Sequence, residues 1–200
     1  SMPLSVLRTL YPMCRDAGYR LTVTLVFNGS GWEILRVEPG DTSYQLYGAA
    51  VDYGSTTLVM QVVDLLTGKV LTEQSIFNRQ IPYGEEILSR IFYTKDDPEH
   101  LKELQQVTAD SFNELIEKCE KACEIPREAY TAMTIGGNTT MIHFLLGLYP
   151  WPIFETPYAP VAENPGFLRA QELGIHLPGY VYLFPAAANY LGGDIISGLT

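Results

Sequence analysis

The chain has 200 residues, with 13 lysines and arginines against 23 aspartates and glutamates, for a formal net charge of −10. That balance argues against a nucleic-acid footprint and against attraction to an anionic membrane, since both need a cationic face; any phosphate would have to be held by local donors. The length suits one good-sized domain, or a domain with part of another. No apolar run approaches the roughly 20 residues of a membrane span, and the start lacks the basic and apolar regions of an export signal, so a cytoplasmic protein is expected. Ser1 ahead of Met2 reads as a cloning scar.

Leu4, Leu7 and Leu10 recur at helical spacing, and Pro12 is expected to break that helix. Residues 19–25 alternate, Asn28-Gly29 supplies a turn and residues 32–37 return, which predicts a hairpin ending at Pro39-Gly40-Asp41. Residues 1–46 are too few to be comfortable alone, and read as the tail of an upstream linker or middle domain.

Residues 47–77 predict a three-stranded antiparallel meander, with turns at Tyr53-Gly54-Ser55-Thr56 and Thr67-Gly68-Lys69. The first turn carries the chemistry. Asp52 ends a strand, Gly54 allows close approach of a ligand, and Ser55, Thr56 and Thr57 add hydroxyls to a row of backbone N–H donors. This is a phosphate cradle with a carboxylate beside it, and Asp52 suits Mg²⁺, directly or through water. No Walker-type lysine is present, so it is not a P-loop. Taken alone, the turn is equally an ordinary polar hairpin. Its context favours the cradle: residues 58–66 are apolar at nearly every position, as in a central strand covered on both faces.

Residues 78–83 read as a loop and 84–92 as a helix, with Asn78, Gln80, Tyr83 and Arg90 read as surface caps rather than cleft residues. Residues 99–122 form an amphipathic helix. Cys119 and Cys123 continue its apolar stripe; with Cys14 they make an odd number without a CxxC pair, better read as buried free thiols than as metal ligands.

A strand over 130–135, a tight turn at Gly136-Gly137-Asn138 and a helix over 139–146 closed by Gly147 follow. Asn138 is a natural N-cap, and the paired glycines point to close approach of another group where N–H donors favour an anion. His143 is expected to be packed. Residues 149–166, rich in proline and aromatics, are expected to pack down over the domain. A buried strand over 180–184 and a last helix opened by Gly192-Gly193-Asp194 complete an α/β fold with a mixed five-stranded sheet. Asp194 either caps that helix or positions water or Mg²⁺ across a cleft from Asp52, the candidate catalytic role.

With these residues laid out, AVDYGSTT at 50–57 resembles the first phosphate motif of the actin, sugar-kinase and heat-shock-chaperone ATPase superfamily, which has a ribonuclease-H-like fold. The blocks YGAAVDYGSTT, DLLTGKVL, NRQIPYGEEILSRI, GGNTTMIHFLLGLYP and YLFPAAANYLGGDIISG, in that order, are similar to the ATP-dependent reductive activators of corrinoid proteins. The resemblance covers essentially the whole chain, with LTVTLVFNG like the end of that family's linker or middle domain. It implies that residues 47–200 are the first lobe of an actin-like ATPase domain binding Mg-ATP. It further implies a corrinoid protein or corrinoid-dependent methyltransferase as partner, restored to cob(I)amide by an electron from an amino-terminal [2Fe–2S] domain. Asp52, Gly54, Ser55, Thr56 and Thr57 carry over as Mg²⁺ and phosphate contacts, and Gly136, Gly137, Asn138 and Asp194 as cleft residues.

Two departures stand out. Three cysteines cannot ligate the cluster, and the chain stops at Thr200 before a second phosphate motif of the D-x-G-[GT] type. One wall of the cleft is therefore expected, with weak Mg-ATP binding and no turnover by this piece alone. The alternatives are a docking module for a corrinoid protein with a vestigial nucleotide site, an ATPase activator of another redox enzyme, and a small-molecule kinase, for which no substrate-binding insertion is identifiable. A homodimer is left open.

Overall fold

The structure, a computed structural model, describes residue 2, residues 4–95 and residues 97–185. Helix α1, Leu4–Asp16, runs through Pro12 instead of ending there. Proline removes an N–H and crowds the carbonyl four residues back, but that residue is the exposed Arg8, where water can serve the carbonyl. The helix stops at Gly18 and Tyr19, both at positive φ, with the Tyr19 N–H returning to the Cys14 carbonyl at 2.8 Å. Strands β1, Leu21–Phe27, and β2, Trp32–Pro39, then form the expected antiparallel hairpin as a separate two-stranded sheet. At its tip the Asn28 carboxamide oxygen accepts from the N–H groups of Ser30 and Gly31.

The second sheet begins with the meander β3, Tyr47–Tyr53, β4, Thr57–Asp64, and β5, Lys69–Phe77. Two helices follow, α2 at Ile87–Tyr93 and α3 at Pro98–Cys123, the latter capped by the Asp97 side chain on the Glu99 N–H. Strand β6, Tyr130–Gly137, pairs parallel to β3. After α4, Thr139–Leu146, come β7, Gly166–Arg169, and β8, Tyr180–Leu183, with β8 parallel to β6. The spatial order is β5-β4-β3-β6-β8-β7.

This mixed sheet has six strands where the sequence pattern predicts five. The added member, β7, is four residues long and antiparallel to β8, too short for a period-two pattern to reveal. Gly136 and Gly137 also belong to strand β6 rather than to a turn, because the parallel ladder with β3 continues through Asp52 opposite Gly136 and Tyr53 opposite Gly137.

One face of the sheet meets α3 and α4. Ala49, Val51 and Tyr53 of β3, Leu58, Met60 and Val62 of β4, and Met133 and Ile135 of β6 join Leu104, Phe112, Leu115 and Ile116 of α3 in one core. The opposite face differs. Along β4 the residues alternate between fully buried and half-buried, so the apolar run at 58–66 does not mark a strand sealed on both sides. The segment 149–166 packs down in part: Trp151 and Ile153 are buried and Val161 donates its N–H to His143 Nε2 at 3.1 Å, while residues 155–159 are exposed. Thr139 O lies 2.8 Å from the other ring nitrogen, which fixes a neutral imidazole protonated on Nδ1, and burial pushes its pKa down.

Candidate functional site

Parallel pairing of β3 with β6 brings together residues more than 80 positions apart in sequence. Asp52 and Gly136 are ladder partners at the carboxyl ends of adjacent parallel strands, the place where open α/β sheets bind ligands. Asp52 is exposed, while its neighbours Val51 and Tyr53 face the core. It lines an open groove of about 420 Å³ with Ala50, Val59, Gln61, Thr134 and Phe184. Gly137 is needed by the fold itself: a Cβ there would lie 3.0 Å from the Tyr53 carbonyl oxygen. The close approach signalled by the paired glycines is thus, at Gly137, an approach of β3. Asn138 caps α4, its side-chain oxygen accepting from the Thr140 N–H at 2.9 Å.

Just beyond Asp52, the turn joining β3 to β4 has all four of its carbonyls answered from the protein side. Gly54 N–H donates to Thr57 O at 3.1 Å, and Asn78 N–H to Thr56 O at 2.8 Å. Asn78 Nδ2 donates to Gly54 O at 2.9 Å, and Arg90 Nη2 to Ser55 O at 2.7 Å. Gly54 itself leaves no room for a side chain, since a Cβ would meet Thr57 O at 2.6 Å. Ser55 is half-buried and Thr56 exposed. The side chain of Thr57 borders a different hollow, with Ser75, Phe77, Glu114 and Lys118, so the hydroxyl-bearing residues of the turn do not all share one surface.

Behind the turn lies a buried polar network that sequence patterns assigned to the surface. Asn78, Gln80 and Arg90 are 2 %, 0 % and 0 % exposed. Gln80 Nε2 donates to Thr108 Oγ1 at 2.6 Å, Thr108 Oγ1 shares a hydrogen bond with Tyr53 Oη at 3.1 Å, and Arg90 Nη1 donates to Gln80 Oε1 at 3.2 Å. Burial pushes the Tyr53 phenol far above its ordinary range, which keeps it neutral. Their partners lie 10 to 55 positions away, beyond any periodicity. The signal that was legible is a polar N-x-Q followed by an arginine ten residues on, inside an otherwise apolar helical stripe.

One exposed carboxylate in the groove, with the Thr134 hydroxyl and the Gln61 amide nearby, suits Mg²⁺ that keeps most of its waters and shares phosphate oxygens. No cluster of three His, Cys, Asp or Glu residues exists among the described residues, so a site built entirely of protein ligands is not offered there. Cys119 and Cys123 do not present a ligand pair: burial pushes the Cys119 thiol up to about 12, and Cys123 Sγ donates to the Cys119 carbonyl at 3.0 Å. Asp194 lies outside the described residues.

Comparison with known proteins adds a second line. A family model for the RACo middle region matches residues 47–200. The corrinoid activation enzyme RamQ of Eubacterium limosum is 30% identical over 152 residues, covering 74% of this chain and 26% of that protein. A solved structure of a reductive activator for corrinoid, iron-sulfur protein superposes over 100% of this chain and 32% of its own length, with a TM-score of 0.89 and 33% identity. This chain therefore spans about a quarter of the one relative and a third of the other.

Proposed function

The chain belongs to the RACo middle-region family, and from that premise we propose that it forms one wall of the Mg-ATP cleft in an ATP-dependent reductive activator of corrinoid proteins. The six-stranded lobe is read as the ribonuclease-H-like half of an actin-type ATPase domain, with residues 47–200 as that lobe and residues 1–46 as the end of the preceding domain. The observation that carries this reading is the parallel register placing Asp52 opposite Gly136, beside a turn whose carbonyls are all occupied from within.

In this reading Ser55 and Thr56 contact the phosphates through backbone N–H and hydroxyl groups, while Gly54 shapes the turn. Asp52 orients Mg²⁺ through its waters, and Mg²⁺ when bound offsets phosphate charge. Gly136 keeps the groove floor open, and Asn138 acts by fixing the start of α4. Asp194, outside the described residues, is proposed to position water or Mg²⁺ as the catalytic carboxylate. The partner is a corrinoid protein, restored from cob(II)amide to cob(I)amide by an electron from a [2Fe–2S] domain elsewhere in the parent, in the cytoplasm.

The test is calorimetric titration of Mg-ATP into the protein extended to the length of its relatives. Saturable binding that Asp52→Ala weakens at least tenfold is the expected result. Equal binding by wild type and Asp52→Ala removes the carboxylate from the site; no binding by either favours a docking module.

A further inference from the structure

Resting on the nucleotide reading above, we infer that Arg90 is a positioning residue for the phosphates: it holds the β3–β4 turn in its anion-receiving form and lends the turn an uncancelled positive charge. Every N–H of its guanidinium is directed to an acceptor. Nε donates to Gly84 O at 2.8 Å, Nη1 to Gln80 Oε1 at 3.2 Å and toward Met141 Sδ at 3.6 Å, and Nη2 to Ser55 O at 2.7 Å and Glu85 O at 3.5 Å. These acceptors are three carbonyls, a carboxamide and a thioether. All are neutral, and no carboxylate pairs with Arg90 among the described residues.

A fully buried cation without a counter-ion is costly, and buried charges are ordinarily paired. The arrangement keeps the charge and spends all the hydrogen bonds on neutral acceptors, so the field is left to act outside the network. The shortest of these bonds, at 2.7 Å, runs to the Ser55 carbonyl, at the middle of the turn that follows Asp52.

A carbonyl drawn inward there carries a second consequence. The peptide unit is planar and trans, so turning Ser55 O toward Arg90 turns the Thr56 N–H the other way. Asn78 Nδ2 does the same to Gly54 O, which turns the Ser55 N–H outward. Among the described residues, neither of these two N–H groups meets an acceptor. The result is two adjacent outward donors over a buried cation, which is what an anion requires.

The experiment compares wild type, Arg90→Met and Arg90→Lys in the protein extended to the length of its relatives, titrated with Mg-ATP and separately with inorganic tripolyphosphate. Val62→Ala, buried at the far end of β4, serves as a control for lost stability without contact to the turn. We expect Arg90→Met to lose at least tenfold in affinity for both ligands and Arg90→Lys, which keeps the charge but not the fork, to recover part of that loss. Val62→Ala should leave affinity unchanged at a comparably reduced melting temperature.

Unchanged affinity in Arg90→Met, or loss matched by Val62→Ala, overturns the inference and makes Arg90 a structural residue. If Arg90→Met does not fold, full wild-type affinity in Arg90→Lys overturns it equally. Tripolyphosphate binding that depends on Arg90 without any ATP binding upholds this inference and rejects the nucleotide reading; wild type that binds neither ligand rejects both.

Discussion

In the two-stranded sheet Val23, Leu25, Phe27 and Trp32 remain exposed, whereas in β4 of the six-stranded sheet Leu58, Met60 and Val62 are completely buried. The residue types are alike; the difference is the second layer. Strand β4 lies under the 26-residue helix α3, which supplies a continuous apolar stripe from Leu104 to Cys119. The hairpin has only α1, itself exposing Leu4, Leu7 and Tyr11. A two-stranded sheet cannot bury both faces, and its stability must come from what it is fastened to.

The fastening is polar. Arg169 Nη2 donates to both carboxylate oxygens of Glu33, at 2.8 and 3.1 Å, and Tyr180 Oη donates to Glu33 Oε2 at 3.0 Å. On the other side Arg36 Nη1 reaches the Ala129 carbonyl at 3.1 Å. Phe27 edges onto Phe167 between them, with ring centroids 5.7 Å apart. The lobe is thus held by a large core, and the hairpin by a few directional bonds with the limited burial of Val26, Val37 and the Phe27 edge, so the two should fail differently.

The largest effect belongs to the lobe. Phe112→Ala empties the space beside Tyr53, whose ring lies 5.3 Å away, and is expected to cost about 3–5 kcal/mol. Urea unfolding measures it, and a loss below about 1 kcal/mol would mean that α3 is not the organising layer.

A smaller, local effect is expected at the hairpin. Glu33→Ala leaves the Tyr180 hydroxyl and Arg169 without their acceptor, at roughly 1–3 kcal/mol. Limited proteolysis should then cut within residues 40–46 while the lobe stays resistant; simultaneous digestion of both regions would erase the distinction drawn between them.

Acid should separate the regions most finely. Burial holds the His143 pKa below its ordinary 6.5, so the neutral form is favoured in the fold. Its contribution is present above 6.5 and is lost as pH falls through the folded value. The Arg169 hydrogen bond holds the Glu33 carboxyl below its ordinary 4.5, so that contribution is complete above 4.5 and lost as pH falls through the lower folded value. Lowering pH should therefore loosen the segment 149–166 first and the hairpin second. Hydrogen exchange followed from pH 7 to well below pH 4 reads the order, and the reverse order would contradict it.

Features set by near neighbours in sequence were legible. The turn at 64–69 is built by Asp64 accepting from Leu66 N–H and Thr67 Oγ1 with Gly68 at positive φ, and α4 starts at Asn138 and ends at Gly147 with φ of 64°. Strand β7 was not legible, because four residues carry too little pattern, and neither was the continuation of α1 past Pro12. In the candidate site, sequence singled out Asp52, the turn at 54–57 and Gly136-Gly137-Asn138. It placed Asn78, Gln80 and Arg90 on the surface, since polarity alone reads as solvation.

Local chemistry in the sequence determined the elements: alternation made the strands, the apolar stripe made α3, and Asn, Asp and Gly placed the turns. Tertiary structure alone decided which groups meet. The ladder that sets Asp52 beside Gly136 and the burial of Arg90 behind Ser55 depend on contacts 84 and 35 residues apart. A side chain's type states what it can bond; only the packed fold states whether water or a distant carbonyl is there to bond it.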